Sequence, residues 1–197
     1  MNRVLTRTGR LVEDPPLARF LFSDTRAAVI WLAVRIALGM VWLDAAFRKL
    51  GNADWMETGN ALRAFWLKAV EVPAAGSPQI TYDWYRNFIQ SLLDAQAYTW
   101  FAKLIAYSEL LIAVALMLGT FVGIAAFLGA FLNWNFIMVG SAGTNGLLGA
   151  AAVLLVLAWK IAGYYGLDFY LLNWLGTPWR GHLPDADSGS EPAYKTG

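Results

Sequence analysis

The 197-residue chain contains no cysteine, and its one histidine is His182, near the C-terminal end. Disulfides, cysteine-ligated iron–sulfur clusters, bis-histidine haem and zinc sites built from Cys and His are therefore excluded. Charge is scarce too, at 15% of residues against about 25% in ordinary soluble domains. The 15 basic and 14 acidic residues nearly cancel, so there is no basic surplus to neutralise phosphates and nucleic acid is not an expected partner. From Thr99 to Gly166 only Lys103, Glu109 and Lys160 are charged. Apolar residues take up the space: 58% are hydrophobic, and the 18 glycines bring the share to about two thirds, against about 45–50% in soluble domains. High hydrophobicity with a net charge of +1 rules out a disordered chain, and the length allows one domain. The composition points to a small integral membrane protein.

The expected architecture is all-α: an integral membrane four-helix bundle with interfacial helices in the long loop between helices 1 and 2. The apolar stretches predict helices at about 27–50, 99–119, 121–140 and 147–166, each near the ~20 residues needed to cross a ~30 Å hydrocarbon core. They make up a membrane domain over 27–176, preceded by a polar segment over 1–26. In the loop over 51–98, Leu62, Phe65, Trp66 and Ala69, and again Tyr85, Phe88, Ile89 and Leu92, recur at helical spacing. Pro73-Ala-Ala-Gly-Ser-Pro78 breaks the chain between them. Their Trp and Tyr content suits helices that lie in the headgroup layer as a cap. Residues 177–197, rich in Pro, Gly, Ser and acidic residues, read as a disordered tail.

The first 26 residues carry five arginines and Pro15-Pro16 but no apolar run ending in a small-residue cleavage site, so the first helix is expected to double as the insertion signal. Those arginines, with Arg180 and Lys195 after the last helix, place both termini in the cytoplasm by the positive-inside rule. Arg48, Lys49, Arg63, Lys68 and Arg86 vote the other way.

Ionisable groups at membrane depth are expensive and mark function by default. Counting ~1.5 Å per residue from the helix ends puts Arg35 and Glu109 both near the midplane, where they are expected to pair. Asn133 and Asn135 on the third helix fall slightly outward of them. Ala125, Gly129 and Asn133 form a four-spaced stripe of small and polar residues, a packing seam in which Asn133 serves either as interhelical glue or as a ligand. Asp44 and Arg48 share a helical face and can bridge. With Lys49 and Lys103 they give a net positive mouth under the cap, a sign that gathers small anions, although basic residues near helix ends also snorkel for purely structural reasons. Trp159, Tyr164 and Tyr165 suit an interfacial aromatic belt.

Several of these residues fall in segments that resemble the DoxX/DoxD family of membrane proteins: Arg35-Ile-Ala-Leu-Gly39, Ala46-Phe-Arg-Lys49-Leu, Tyr107-Ser-Glu109-Leu-Leu, Gly129-Ala-Phe-Leu-Asn133-Trp-Asn135-Phe, and Trp159-Lys160-Ile-Ala-Gly163-Tyr-Tyr-Gly166-Leu-Asp168. The resemblance runs from about residue 10 to 180. The chain departs from the family pattern at Ser108, where a glycine is expected, and in the turn Thr120-Phe-Val-Gly, which lacks a basic residue. What the resemblance implies is a four-helix membrane bundle and, for the DoxD-like branch, oxidation of thiosulfate to tetrathionate with quinone as acceptor. Other branches are membrane partners of soluble redox enzymes.

Two functional readings follow. In the first, the chain is a membrane oxidoreductase subunit that passes electrons from thiosulfate or a similar sulfur donor to membrane quinone, its lipid-soluble acceptor, without metal, haem or iron–sulfur centre. Glu109 and Arg35 are the candidate catalytic residues: Glu109 supplies a proton, and Arg35 with an asparagine holds the quinone carbonyls. The candidate substrate-binding residues are Asn133, Asn135, Tyr107, Asp44, Arg48, Lys49 and Lys103. In the second reading the chain is a non-catalytic scaffold that anchors a soluble redox enzyme, its buried charges fixing helix register. Expected partners are the lipid bilayer, a second small subunit or soluble redox enzyme, and further copies of the chain.

Overall fold

The computed structural model describes residues 14–176. Half of the polar N-terminal segment, residues 1–13, together with His182 and the tail expected over 177–197, lies outside the described residues. Within them every regular element is helical. Pro16 opens α1 (Pro16–Ser23), a position where its missing N–H costs nothing. Asp24 caps a 3-10 turn (Thr25–Ala27) that leads into α2 (Ala28–Leu50). The loop forms α3 (Ala53–Met56), α4 (Asn60–Val70) and α5 (Asp83–Asp94). Then come α6 (Tyr98–Leu118), α7 (Val122–Met138), α8 (Asn145–Leu157), α9 (Trp159–Ala162) and α10 (Asp168–Trp174).

The four apolar helices α2, α6, α7 and α8 pack in a closed ring, each against the next and α8 against α2. Small residues set the seams: Ala113, Ala125, Ala126 and Ala152 are buried beside Trp31, Trp42, Ile112 and Leu155. Gly129 lies against Trp42 and Ile112, and Asn133 against Gly149, so the four-spaced stripe is a packing seam. Among the described residues, only α2, extended by its leading turn to Thr25–Leu50, and α6 are long and apolar enough to cross a membrane; α7 has 17 residues and α8 13. The fourth helix expected over 147–166 is a correction: it breaks at Ala158 into α8 and α9, and the chain then turns through Gly163 to Gly166.

Both loop helices predicted from spacing form, and they cover one end of the ring. Leu62, Trp66 and Ala69 of α4 and Tyr85, Ile89 and Leu93 of α5 face a shared core with Ala102, Ile105 and Val139. Leu93 rather than Leu92 completes the buried stripe on α5. Gln79, between the two helices, donates to Val139 O at 2.8 Å and ties the linker to the end of α7.

The opposite end is clamped by backbone. Leu167 N and Asp168 N donate to Leu118 O (3.1 Å) and Gly119 O (2.8 Å). The Asp168 carboxylate accepts from the amides of Phe121 and Val122, two of the N–H groups that the start of α7 leaves without helical partners. Phe121 has φ 46°, a left-handed conformation that costs a non-glycine residue about 1–3 kcal/mol, and this carboxylate compensates it. Gly119, at φ 67°, closes α6, and a Cβ there would overlap the Arg35 guanidinium.

Candidate functional site

The last turns of α2 divide their charges between two directions. Asp44 and Arg48, four residues apart, form an exposed ion pair at 2.6 Å. Lys49 is one residue further on, about 100° around the helix, and turns into the ring. Its Nζ lies 2.6 Å from Glu109 Oε2, with 15% of the Lys49 side chain exposed and 1% of that of Glu109. Trp55 and Phe136 flank the ammonium, with ring centres at 5.2 and 5.9 Å. A buried pair of this kind is strongly destabilised when one partner is lost, because the other charge is left uncompensated.

Beside the pair is a cavity of about 500 Å³, lined by α2, the α2–α3 turn, α3, α6, α7, α8 and the α7–α8 connection. Its polar lining comprises Asp44, Arg48, Lys49, Asn52, Glu109, Asn133, Ser141, Thr144 and Asn145. Cations and carboxylates balance in this wall, which corrects the expected net positive mouth: Lys103 is exposed and not part of the lining. Asn133 is fully buried, and neither its Nδ2 nor its Oδ1 has a partner; nor does the Nε1 of Trp42, another lining residue. Native proteins rarely leave such atoms unsatisfied. The arrangement offers an ammonium, a carboxylate that can carry a proton, and uncommitted N–H donors to a small oxygen-bearing molecule.

The expected Arg35–Glu109 pair does not form. Gly39 meets Ala113, Leu116 and Met117, so antiparallel α2 and α6 place Arg35 opposite Gly119. Glu109, ten residues earlier on α6, is about 15 Å away along the axis. The depth count failed because α2 extends past the end of α6: α2 packs against α9, and Trp31 in its first turns stacks on Phe22 of α1 and donates to Leu21 O instead. Arg35, 1% exposed, donates from Nη2 to Tyr165 O at 3.0 Å and belongs to the clamp with Gly119 and Gly166.

Of the other candidates, Asp44, Arg48, Lys49 and Asn133 line the cavity with Glu109. Tyr107 is exposed on the outside of α6. Asn135 points the other way around α7: its Oδ1 accepts from Tyr85 Oη at 2.9 Å and its Nδ2 donates to Phe131 O at 2.8 Å. Burial pushes the Tyr85 phenol above its ordinary pKa of 10.0, which keeps it a donor. Sequence reasoning missed Trp42, Asn52, Ser141, Thr144 and Asn145. The signal for the last three was a short polar group interrupting the apolar run between α7 and α8. Comparison with family models, curated proteins and solved structures gives no match to this chain.

Proposed function

We propose that this chain is a multi-pass membrane protein of the DoxX/DoxD type, with both termini cytoplasmic, that passes electrons from thiosulfate or a similar small sulfur anion to membrane quinone. The cavity beside Glu109 and Lys49 receives the anion. The observation that carries this reading is a buried carboxylate–ammonium pair that joins the two helices long enough to span a bilayer and lies in the wall of a polar cavity. Membrane residence is supported by the outer surface, where Phe47, Leu111, Phe127 and Leu147 are all more than half exposed. A soluble bundle would place polar residues there.

Charge balance in a buried site links the anion to a proton. Lys49 turns its ammonium toward the incoming dianion as Glu109 takes a proton, which offsets one of its two charges, and N–H donors face the other. The Asn133 amide and Trp42 Nε1 donate to the anion's oxygens. Glu109 then holds a proton for the acceptor side. Joining two thiosulfates through their outer sulfurs releases two electrons, and quinone takes up two electrons and two protons. The scaffold alternative leaves the unpartnered Asn133 and Trp42 without a role.

The test is thiosulfate-dependent reduction of a short-chain quinone by the detergent-purified protein. The wild type turns over, and Glu109→Gln and Lys49→Met lose at least about 100-fold, within the range for a positioned proton donor. A folded, monodisperse wild type that reduces no quinone, or a Glu109→Gln variant with full turnover, overturns the proposal.

A further inference from the structure

The anion cavity leaves a second, different space unused. Between α4 and α5 on one side and α6 and α7 on the other is a chamber of about 330 Å³, walled largely by rings, among them Trp84, Tyr85, Phe88, Phe101, Phe131 and Trp134. The rings meet each other at edges and faces: Tyr85 and Trp134 are edge-on at 6.1 Å, and Phe131 stacks on Trp134 at 6.1 Å. No acidic or basic side chain lines the chamber. Its polar device is the hydrogen bond from Tyr85 to Asn135, and Asn135 spends only one of its two amide hydrogens, on Phe131 O.

A groove of about 440 Å³ between α6 and α7 adjoins the chamber, with Phe101, Ile105, Phe131 and Leu132 lining both. This groove runs past Ser108, Leu111 and Leu128 to Thr120 and Phe121 at the clamped end, covering about 21 Å of α6 from Phe101 to Ala115. Its walls are almost wholly apolar. Both volumes fall in the range of small-molecule sites, about 300–1,000 Å³.

We propose that the chamber and groove bind one neutral, ring-headed lipid of the quinone class, with the ring among the aromatic walls and the chain between α6 and α7. An uncharged lining disfavours a phospholipid head, whose phosphate would lose water without gaining a cation. A planar ring instead finds faces and edges to stack on, and its carbonyl finds the spare N–H of Asn135. Phe136 lines both the chamber and the anion cavity, and its ring centre is 5.9 Å from Lys49 Nζ. The ring site is thus one side chain away from the buried ion pair. The choice of a quinone rests on the redox reading above; the binding itself requires no turnover.

The test is quenching of intrinsic tryptophan fluorescence of the full chain in detergent by a decyl-substituted benzoquinone and by its tail-less parent. Both saturate in the wild type. Tyr85→Phe and Asn135→Leu each weaken both ligands about tenfold, the scale of one lost hydrogen bond. Ser108→Phe, which fills the groove, weakens the decyl compound alone. Absence of saturable quenching in folded wild type overturns the assignment. So does quenching lost in Glu109→Gln and retained in Asn135→Leu, which puts the ring in the polar cavity and leaves the redox reading intact. Competition by phosphatidylglycerol at equal potency makes the space a general lipid site and also overturns it. Binding as described with no thiosulfate-dependent reduction removes the redox reading and keeps the lipid site.

Discussion

Asn133 occupies a fully buried position with both polar atoms of its amide unpartnered, an arrangement that costs about 1–3 kcal/mol for each unsatisfied group. Leucine has the same branched heavy-atom shape, though a larger volume, and no such cost. Asn133→Leu is therefore expected to leave the melting temperature unchanged or raise it while weakening thiosulfate binding. A variant that is destabilised and binds normally would mark Asn133 as packing alone. The ion pair behaves oppositely: Lys49→Met or Glu109→Gln alone strands a buried charge or loses its partner, with an expected cost of about 3–5 kcal/mol for the worse of the two. In a double-mutant cycle, Lys49 and Glu109 couple strongly, whereas Arg35 and Glu109 add within about 0.5 kcal/mol. Tyr85 gives a pH test. Its phenol pKa is raised by burial above 10.0, so its contribution to stability is complete below pH 10 and fades as pH rises through the folded value. Tyr85→Phe should flatten that alkaline loss.

At the scale of elements, the clamp between the α6–α7 turn and the Gly163–Asp168 segment determines which residues of α2 and α6 meet. Gly119→Ala places a Cβ at positive φ and against the Arg35 guanidinium. Asp168→Asn keeps the shape but weakens two charge-assisted bonds to Phe121 and Val122. Both variants should unfold at lower temperature, by about 1–3 kcal/mol in the second case, with quinone and anion affinity retained in whatever fraction folds. The same clamp shows where the sequence was legible. Helix positions followed from apolar runs and spacing, which is why α2, α4, α5, α6 and α7 form within a few residues of expectation. Register did not follow, because it depends on how far α2 extends past α6, and that is set by Gly119, Gly166 and Asp168 meeting across more than 40 residues of chain. The partner of Glu109 therefore came out as Arg35 by counting and Lys49 by structure. The break at Ala158 was hidden for a similar reason, since an unbroken apolar run carries no mark of where a helix stops.

Among the described residues the outer surface of the ring is largely apolar, and its hydrophobic interior holds four buried polar side chains, Arg35, Glu109, Asn133 and Asp168. If the chain spans the bilayer as proposed, the cap and the clamp face opposite compartments, and the absence of cysteine makes this easy to check. Single-cysteine variants Ser91→Cys, on exposed α5, and Ser23→Cys, at the exposed end of α1, should react with a membrane-impermeant maleimide from opposite sides, Ser91→Cys from outside intact cells. Labelling of both from one side would contradict the arrangement. The composition already indicated an apolar exterior, but not that two separate spaces open beside Phe136, because each is built from helices distant in sequence. The most direct test of the account is calorimetry of thiosulfate binding in buffers of different ionisation enthalpy, which counts protons taken up with the anion. Uptake of roughly one proton per thiosulfate in the wild type, and none in Glu109→Gln, is the predicted result. Binding without proton uptake, or uptake unchanged in Glu109→Gln, would contradict a site in which Glu109 and Lys49 exchange one charge for another.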